Sequence, residues 1–370
     1  MLISAATKYF PNLDGLRFVG AMTILLLHIE DIKAKQGQEV ISWIRYFDNV
    51  GEYAVSLFFV LSGFLITYLL LQEKENTSTI NLKKFYTKRV LKIWPLYLLI
   101  GFIGFFLLPR LDTYFHWAYS QSLNEHFWLY LILYCLFLPV TALSDTIGIA
   151  WSVRVEEIFY FFWPLLLRRT KNYLRLFIWI VAGVVVFRLA TKCLAIFTLN
   201  QMVTDIAILA RAYRVSCMAI GGIGAYLVVK ENKKILDFIY RVDVQLLVYA
   251  LMAAQLIFNI YIPYVEFEFS SVLFACMIVN LATNPKSLMK LDYKWINYLG
   301  KVSYGIYMYN AIMRILCLQA IEHIFKSKVI GWQLNLLMYS ATIASTLIIS
   351  ILSFELFEKR FLNMKKTLAA

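Results

Sequence analysis

The amino-acid sequence predicts an all-α polytopic membrane protein with about ten transmembrane helices plus one re-entrant or interfacial helix. Three observations lead there. The chain is 61% hydrophobic and only 16% charged, with a mean hydropathy of +0.67, whereas a soluble domain is about 45–50% apolar and about 25% charged. Apolar runs of about 20 residues, long enough to cross a bilayer as a helix, recur along the whole chain. Lys and Arg collect in alternate connections between those runs, as they do in cytoplasmic loops.

The expected spans are 18–36, 53–72, 93–110, 152–168, 173–190, 214–230, 243–262, 266–284, 297–320 and 333–357. The run 125–143, "EHFWLYLILYCLFLPVTAL", is apolar enough to be another. The basic runs "KKFYTKRVLK" (83–92) and "RRTK" (168–171) both belong on the cytoplasmic side, and that requires an odd number of crossings between them. Segments 125–143 and 152–168 therefore cannot both cross, and 125–143 is read as the re-entrant or interfacial helix. Both termini then fall in the cytoplasm, and 24 of the 36 Lys and Arg lie on that side. No internal repeat or linker divides the chain, so residues 1–370 are read as one membrane domain with no fused extracytoplasmic domain. Residues 1–11 carry no cleavable signal pattern, so the first span is expected to serve as the targeting signal.

A formal charge of +13 would suggest nucleic acid in a soluble protein. Here positive cytoplasmic loops account for it, and no nucleic-acid partner is expected. The five cysteines are scattered through apolar segments without a C-x-x-C spacing, so neither disulfides nor a metal site is expected.

An ionisable residue inside a span costs at least about 2.5–3.5 kcal/mol at the helix centre, so such residues are functional candidates. In "NLDGLRFVGAMTILLLH" (12–28), Arg17 and His28 are eleven residues apart. At 100° per residue they end about 20° apart around the helix, on one face, and about 16 Å apart along it. One reading is that Arg17 snorkels to the interface and His28 is a satisfied interface histidine. The other is a cation at the cytosolic mouth and, further out, a base able to take a proton from a hydroxyl at neutral pH. "AWSVRVEEIFYFFWP" (150–164) brings Glu156 and Glu157 into a span, and Ser152 shares a face with Glu156. These carboxylates could orient an imidazole. The structural alternative is interfacial anchoring by Trp151 together with an Arg154–Glu pair. Lys88, Arg89 and Lys92 precede the third span and are either ordinary positive-inside residues or a phosphate clamp. Near Arg211 and Arg214, the Gly221-Gly222-x-Gly224 cluster points to close helix packing.

These segments together resemble the acyltransferase-3 family of membrane O-acyltransferases. "LDGLRFVGAMTILLLH" is similar to the family's Arg-x10-His signature, and "SLFFVLSGFLIT" (56–67) to its Val-Leu-Ser-Gly-Phe-Leu segment. "FYTKRVLKIWPLY" resembles Phe-Tyr-x-Arg-Arg-x-x-Arg-Ile-x-Pro, and "WSVRVEEIFY" resembles the stretch holding its Ser-x-x-x-Glu element. "LGKVSYGIYMYN" (299–310) and "FELFEKRF" (354–361) match two later motifs. Six motifs fall in the family's order and cover nearly the whole chain. There are departures. Lys92 stands where arginine is usual, Asn310 where a histidine is frequent, and Arg360 where a proline is usual.

The resemblance implies transfer of an acyl group, commonly acetyl from acetyl-CoA, to a hydroxyl of a cell-surface or lipid-linked carbohydrate in a bacterial cytoplasmic membrane. It implies that His28 transfers the proton and that Arg17 helps to hold the donor. Arg89 and Lys92, beside Lys88, would contact the coenzyme A phosphates. Ser152 and Glu156 would fill the Ser-x-x-x-Glu positions. Without a fused esterase-like domain, the protein would complete the transfer itself or pass the group to a separate extracytoplasmic acyl-accepting protein. Two other readings stay open: a transporter of acyl groups, against which the missing repeat and missing Gly/Pro-broken helices count, and acylation of a small molecule such as a macrolide.

Overall fold

The computed structural model describes residues 9–35, 37–45, 49–115, 126–138, 145–260, 262, 265–325 and 331–367. Among them every regular element is a helix. In chain order these are α1 (Pro11–Lys35), α2 (Ser42–Arg45), α3 (Asn49–Thr77), α4 (Leu82–Phe102), α5 (Leu108–Phe115), α6 (Phe127–Cys135), α7 (Asp145–Gly148), α8 (Trp151–Arg169), α9 (Tyr173–Thr198), α10 (Gln201–Ala212), α11 (Val215–Val229), α12 (Lys233–Tyr240), α13 (Val242–Ile257), α14 (Glu266–Thr283), α15 (Lys294–Phe325), α16 (Gly331–Ser353) and α17 (Lys359–Thr367). Single-turn π-helical segments, Ile103–Leu107 and Phe354–Glu358, join α4 to α5 and α16 to α17.

Local chemistry sets several boundaries. Pro11 opens α1 at the one place where its missing N–H costs nothing. Asparagine side chains accept from backbone N–H groups at three helix starts: Asn172 from Arg175 at 3.1 Å, Asn200 from Met202 at 2.9 Å and Asn232 from Ile235 at 3.3 Å. Lys74 donates to the carbonyls of Leu167, Arg168 and Thr170 at 2.7–3.1 Å. A cation there satisfies the orphan carbonyls at the end of α8 and suits the negative end of its dipole.

Six runs are long and apolar enough to cross a membrane: Asn49–Thr77, Leu82–Leu111, Tyr173–Thr198, Gln201–Val229, Glu266–Thr283 and Gly331–Met364. They coincide with six of the ten expected spans. The other four expectations fall on α1, α8, α13 and α15, of 25, 19, 16 and 32 residues. The run at 201–229 begins earlier than the expected 214–230, because α10 leads into α11 with only Tyr213 and Arg214 between them. Within 125–143 the described part is α6, whose nine residues rise about 13 Å against a hydrocarbon core of about 30 Å. Residues 125 and 139–143 lie outside the described residues.

The chain divides into two compact units: Met1–Gly20, Asn49–Leu82 and Phe159–Gly300 in one, and Ala21–Asp48, Lys83–Ile158 and Lys301–Ala370 in the other. The first is built around α3 and α11, with α9 and α14 packed on α11. A Cβ on Gly221 would fall on the Val60 carbonyl oxygen, and one on Gly63 on the Met218 carbonyl oxygen. The two backbones therefore touch, as small residues allow between membrane helices. Trp163 donates to Thr67 Oγ1 at 2.8 Å and stacks on Phe177. Charged groups of this unit are paired: Arg211 and Arg214 with Glu52, and Arg188 with Glu268, which also accepts from Ser216 at 2.6 Å.

In the second unit α4 and α6 are tied by a reciprocal bond. Tyr97 donates to the Tyr134 carbonyl at 3.0 Å, and Tyr134 to the Tyr97 carbonyl at 2.8 Å, with the rings stacked at 4.3 Å. The far end of α1 is held by buried Glu30 and Lys33, 2.9 Å apart. Lys33 also donates to Asn335, and Glu30 accepts from Tyr339 at 2.9 Å and from the Ile41 N–H at 2.6 Å.

The backbone contact between α3 and α11 has a direct consequence. Gly221→Ala and Gly63→Ala each force the helices apart, with an expected loss of about 1–3 kcal/mol or more. Gly183→Ala is the control, since a Cβ there meets nothing within 4 Å. Melting curves of the purified protein in detergent should show midpoints lowered by several degrees for the first two variants and not lowered for the third.

Candidate active site

The site in the second unit is organised by one face of α15. Tyr307, Asn310 and Arg314 are spaced by three and four residues, which puts them on one side of the helix. All three are buried, so their polar atoms must be satisfied within the protein. Arg314 Nη1 donates to the backbone oxygen of His28 at 3.2 Å. Asn310 Nδ2 donates to the carbonyls of Tyr307 at 2.5 Å and Ile306 at 3.4 Å.

That last pair decides how the amide lies. Carbonyl oxygens only accept, so the amide nitrogen faces them and Oδ1 faces the other way. Oδ1 is 3.4 Å from His28 Nδ1. Two acceptors cannot bond to each other, so the imidazole donates from Nδ1. A neutral ring held in this way carries its basic lone pair on Nε2. Asn310, the departure from the family's frequent histidine, is thus the residue that faces His28 Nδ1.

One turn earlier on α15, the Tyr307 hydroxyl donates to the Ile149 carbonyl at 2.9 Å. Its only proton is used there, so Ser152 Oγ, 2.7 Å away, donates to Tyr307. His28 and Ser152, far apart in sequence, therefore dock on neighbouring turns of one helix face. Ser152 meets Tyr307 there.

The remaining candidates are placed as follows. Glu156 is half-buried and within electrostatic reach of Tyr307. Its neighbour Glu157 accepts from Trp94 Nε1 at 3.1 Å. Lys88, Arg89 and Lys92 are half-buried in the first turns of α4, with Arg89 over the Phe85 ring at 5.5 Å. Arg17 belongs to the first unit and pairs with Asp14 at 2.8 Å, and Asp14 also accepts from Tyr9 at 2.5 Å. The Arg154–Glu pair of the structural alternative is not formed. Arg154 is 1% exposed, and its Nε, Nη1 and Nη2 have no hydrogen-bond partner.

Sequence reasoning did not single out Tyr307 or Arg314, and it read Arg154 only as one half of an ion pair with a glutamate. A signal existed for the first two: polar residues at 307, 310 and 314 recur with helical spacing in an otherwise apolar run. Nothing local distinguished Arg154 from an interfacial arginine.

A family model for the acyltransferase domain matches residues 10–355. A peptidoglycan O-acetyltransferase of Listeria monocytogenes is 26% identical over 167 residues, 42% of this chain and 24% of the relative. A putative O-acetyltransferase of Staphylococcus aureus is 29% identical over 176 residues, 43% of this chain and 25% of the relative. A putative peptidoglycan O-acetyltransferase of Bacillus subtilis is 26% identical over 165 residues, 43% of this chain and 24% of the relative. The matches thus span about a quarter of the length of these curated relatives. No solved structure matches.

The direction of the Ser152–Tyr307 bond can be tested by stability. Tyr307→Phe strands both the Ile149 carbonyl and the Ser152 hydroxyl, at an expected cost of about 1–3 kcal/mol. Ser152→Ala leaves Tyr307 bonded to Ile149 and should cost about 0.5–1.5 kcal/mol. Denaturation of both variants in lipid nanodiscs decides the matter, and equal costs would contradict the assigned proton positions.

Proposed function

The chain belongs to the acyltransferase-3 family, and from that premise we propose that it is a membrane-bound O-acyltransferase. It moves an acyl group, commonly acetyl, from an acyl-CoA thioester to a hydroxyl of a cell-wall or lipid-linked carbohydrate. The names of the similar peptidoglycan O-acetyltransferases favour a cell-wall glycan as acceptor. The observation that carries the reading is the hydrogen bond between His28 and Asn310, because a histidine held in one tautomer offers a defined nitrogen for proton transfer.

In the proposed reaction His28 Nε2 takes the proton of the acceptor hydroxyl while its oxygen attacks the thioester carbonyl carbon. A C–O bond forms, the tetrahedral intermediate collapses, and the C–S bond breaks. The proton then passes from the imidazolium to the departing thiolate, leaving an ester and a free thiol. Asn310 holds Nδ1 protonated throughout. Arg314 holds the His28 backbone through its carbonyl. Ser152 steadies Tyr307, one turn from Asn310 on the same face. Lys88, Arg89 and Lys92 offer three cations on adjacent turns for the donor's phosphates. Lys92 acts as a point charge where a guanidinium would bind in bidentate fashion. Arg17, oriented by Asp14, is the further cation assigned to the donor, and Glu156 supplies negative charge near Tyr307 that favours a transient imidazolium.

Mass spectrometry of surface glycans from cells with and without the protein tests the reaction. One acyl unit is expected to disappear from the glycan when the protein is absent, and identical masses would contradict the reading. In a purified assay His28→Ala should lose about 10²–10⁴-fold in rate, and a wild-type rate would remove His28 from the mechanism. Asn310→Leu should lower kcat with KM little changed. Asn310→Asp, which keeps an acceptor opposite Nδ1, should retain more activity than Asn310→Leu.

A further inference from the structure

Four buried arginines occur among the described residues: Arg154, Arg188, Arg214 and Arg314. Three have acceptors. Arg188 binds Glu268 at 2.6 Å, Arg214 binds Glu52 and Ser56, and Arg314 binds the His28 carbonyl. Arg154 differs from the others. Its guanidinium, with five N–H donors in a planar fork, has no hydrogen-bond partner at any of its three nitrogens and is 1% exposed. A buried charge without a partner is among the most unfavourable arrangements a protein can hold.

Its surroundings among the described residues are aromatic and hydroxyl-bearing. The guanidinium carbon lies 6.0 Å from the centre of the Tyr134 ring, and Tyr97 and Tyr307 are within electrostatic reach. The hydroxyls of these three tyrosines donate elsewhere, to the carbonyls of Tyr97, Tyr134 and Ile149. Glu157, three residues further along α8, is turned to Trp94. Ser152, two residues earlier, is committed to Tyr307. The fork thus lies beside hydroxyl-bearing side chains, none of which accepts from it, in the same unit as the His28–Asn310 pair.

We propose that Arg154 is a substrate-binding residue that takes an anionic oxygen group, a carboxylate or a phosphate, from one of the reactants. A planar fork with two parallel N–H groups matches such a group in bidentate fashion. The group could come from the donor's phosphates or from an acidic sugar acceptor. Only that choice of reactant rests on the acyl-transfer reading. Binding of the anion converts an uncompensated buried charge into a charge-assisted pair, so the free protein gives up stability that the bound form recovers.

The test uses the full-length protein in nanodiscs, with Arg154→Met and Arg154→Lys beside wild type. Binding is measured by titration with coenzyme A, with N-acetylmuramic acid, which carries a carboxylate, and with N-acetylglucosamine, which does not. For at least one of the two anionic probes, affinity should fall roughly 10- to 100-fold in Arg154→Met, the size expected for a charge-assisted bidentate pair. Arg154→Lys should fall in between. N-acetylglucosamine binding should be unchanged. The probe that responds identifies the reactant. Without ligand, Arg154→Met should melt above wild type, whereas an arginine needed for folding would make it melt below. If Arg154→Met does not fold, Arg154→Lys carries the test. Unchanged affinity for both anionic probes in a folded variant overturns the proposal. The measurements need no turnover. Lost anion binding would therefore stand even if no acyl transfer were found, and unchanged binding in an active enzyme would remove only the assignment of Arg154.

Discussion

Polar side chains enclosed by apolar helices must satisfy one another, because neither lipid nor a dry core offers them water. That constraint shapes one face of α15. Tyr307 and Asn310 spend their donors on backbone carbonyls, of Ile149 and of Ile306 and Tyr307, and Arg314 Nη1 donates to that of His28. Once those donors are used, Tyr307 and Asn310 have only acceptor atoms left to face their neighbours. Ser152 must then donate to Tyr307, and His28 must donate from Nδ1 to Asn310. The proton positions at the site thus follow from the hydrogen-bond requirements of a single helix.

The same constraint distinguishes matched buried charges from an unmatched one. Glu30 and Lys33 are buried and fully engaged with each other, with Asn335, with Tyr339 and with the Ile41 N–H. Arg188 and Glu268 form a second buried ion pair. Such pairs hold helices in place and need nothing further. Arg154 belongs to neither pattern, and its missing partner is the kind of local inconsistency that proteins keep at functional sites.

How much was legible in the sequence differs between the fold and the site. Each expected span holds a helix over most of its described residues, because a helix satisfies its own backbone within one stretch of chain. The role of small residues was legible too: Gly221 sits against Val60, as a glycine-rich stretch in an apolar run suggests. Boundaries were less legible. The start of the 201–229 run was missed because α10 carries Thr204 and Asp205, which weaken its apolar pattern. At the site, His28 and Ser152 stood out as polar residues in apolar runs. Their partners did not, since Asn310 is 282 residues from His28 and Tyr307 is 155 residues from Ser152. Periodicity describes one helix at a time and cannot show which face meets which.

By itself, then, the sequence determined the class, the helices and the residues whose burial is costly, because hydropathy and helical period act locally along the chain. The family followed from the order of its motifs. Tertiary structure decided three things that depend on packing: that His28 Nδ1 faces Asn310, that Ser152 bonds to Tyr307, and that Arg154 is buried with no hydrogen-bond partner among the described residues. Each depends on which acceptors lie within about 3 Å of a given donor. That is settled only when helices far apart in sequence are brought together.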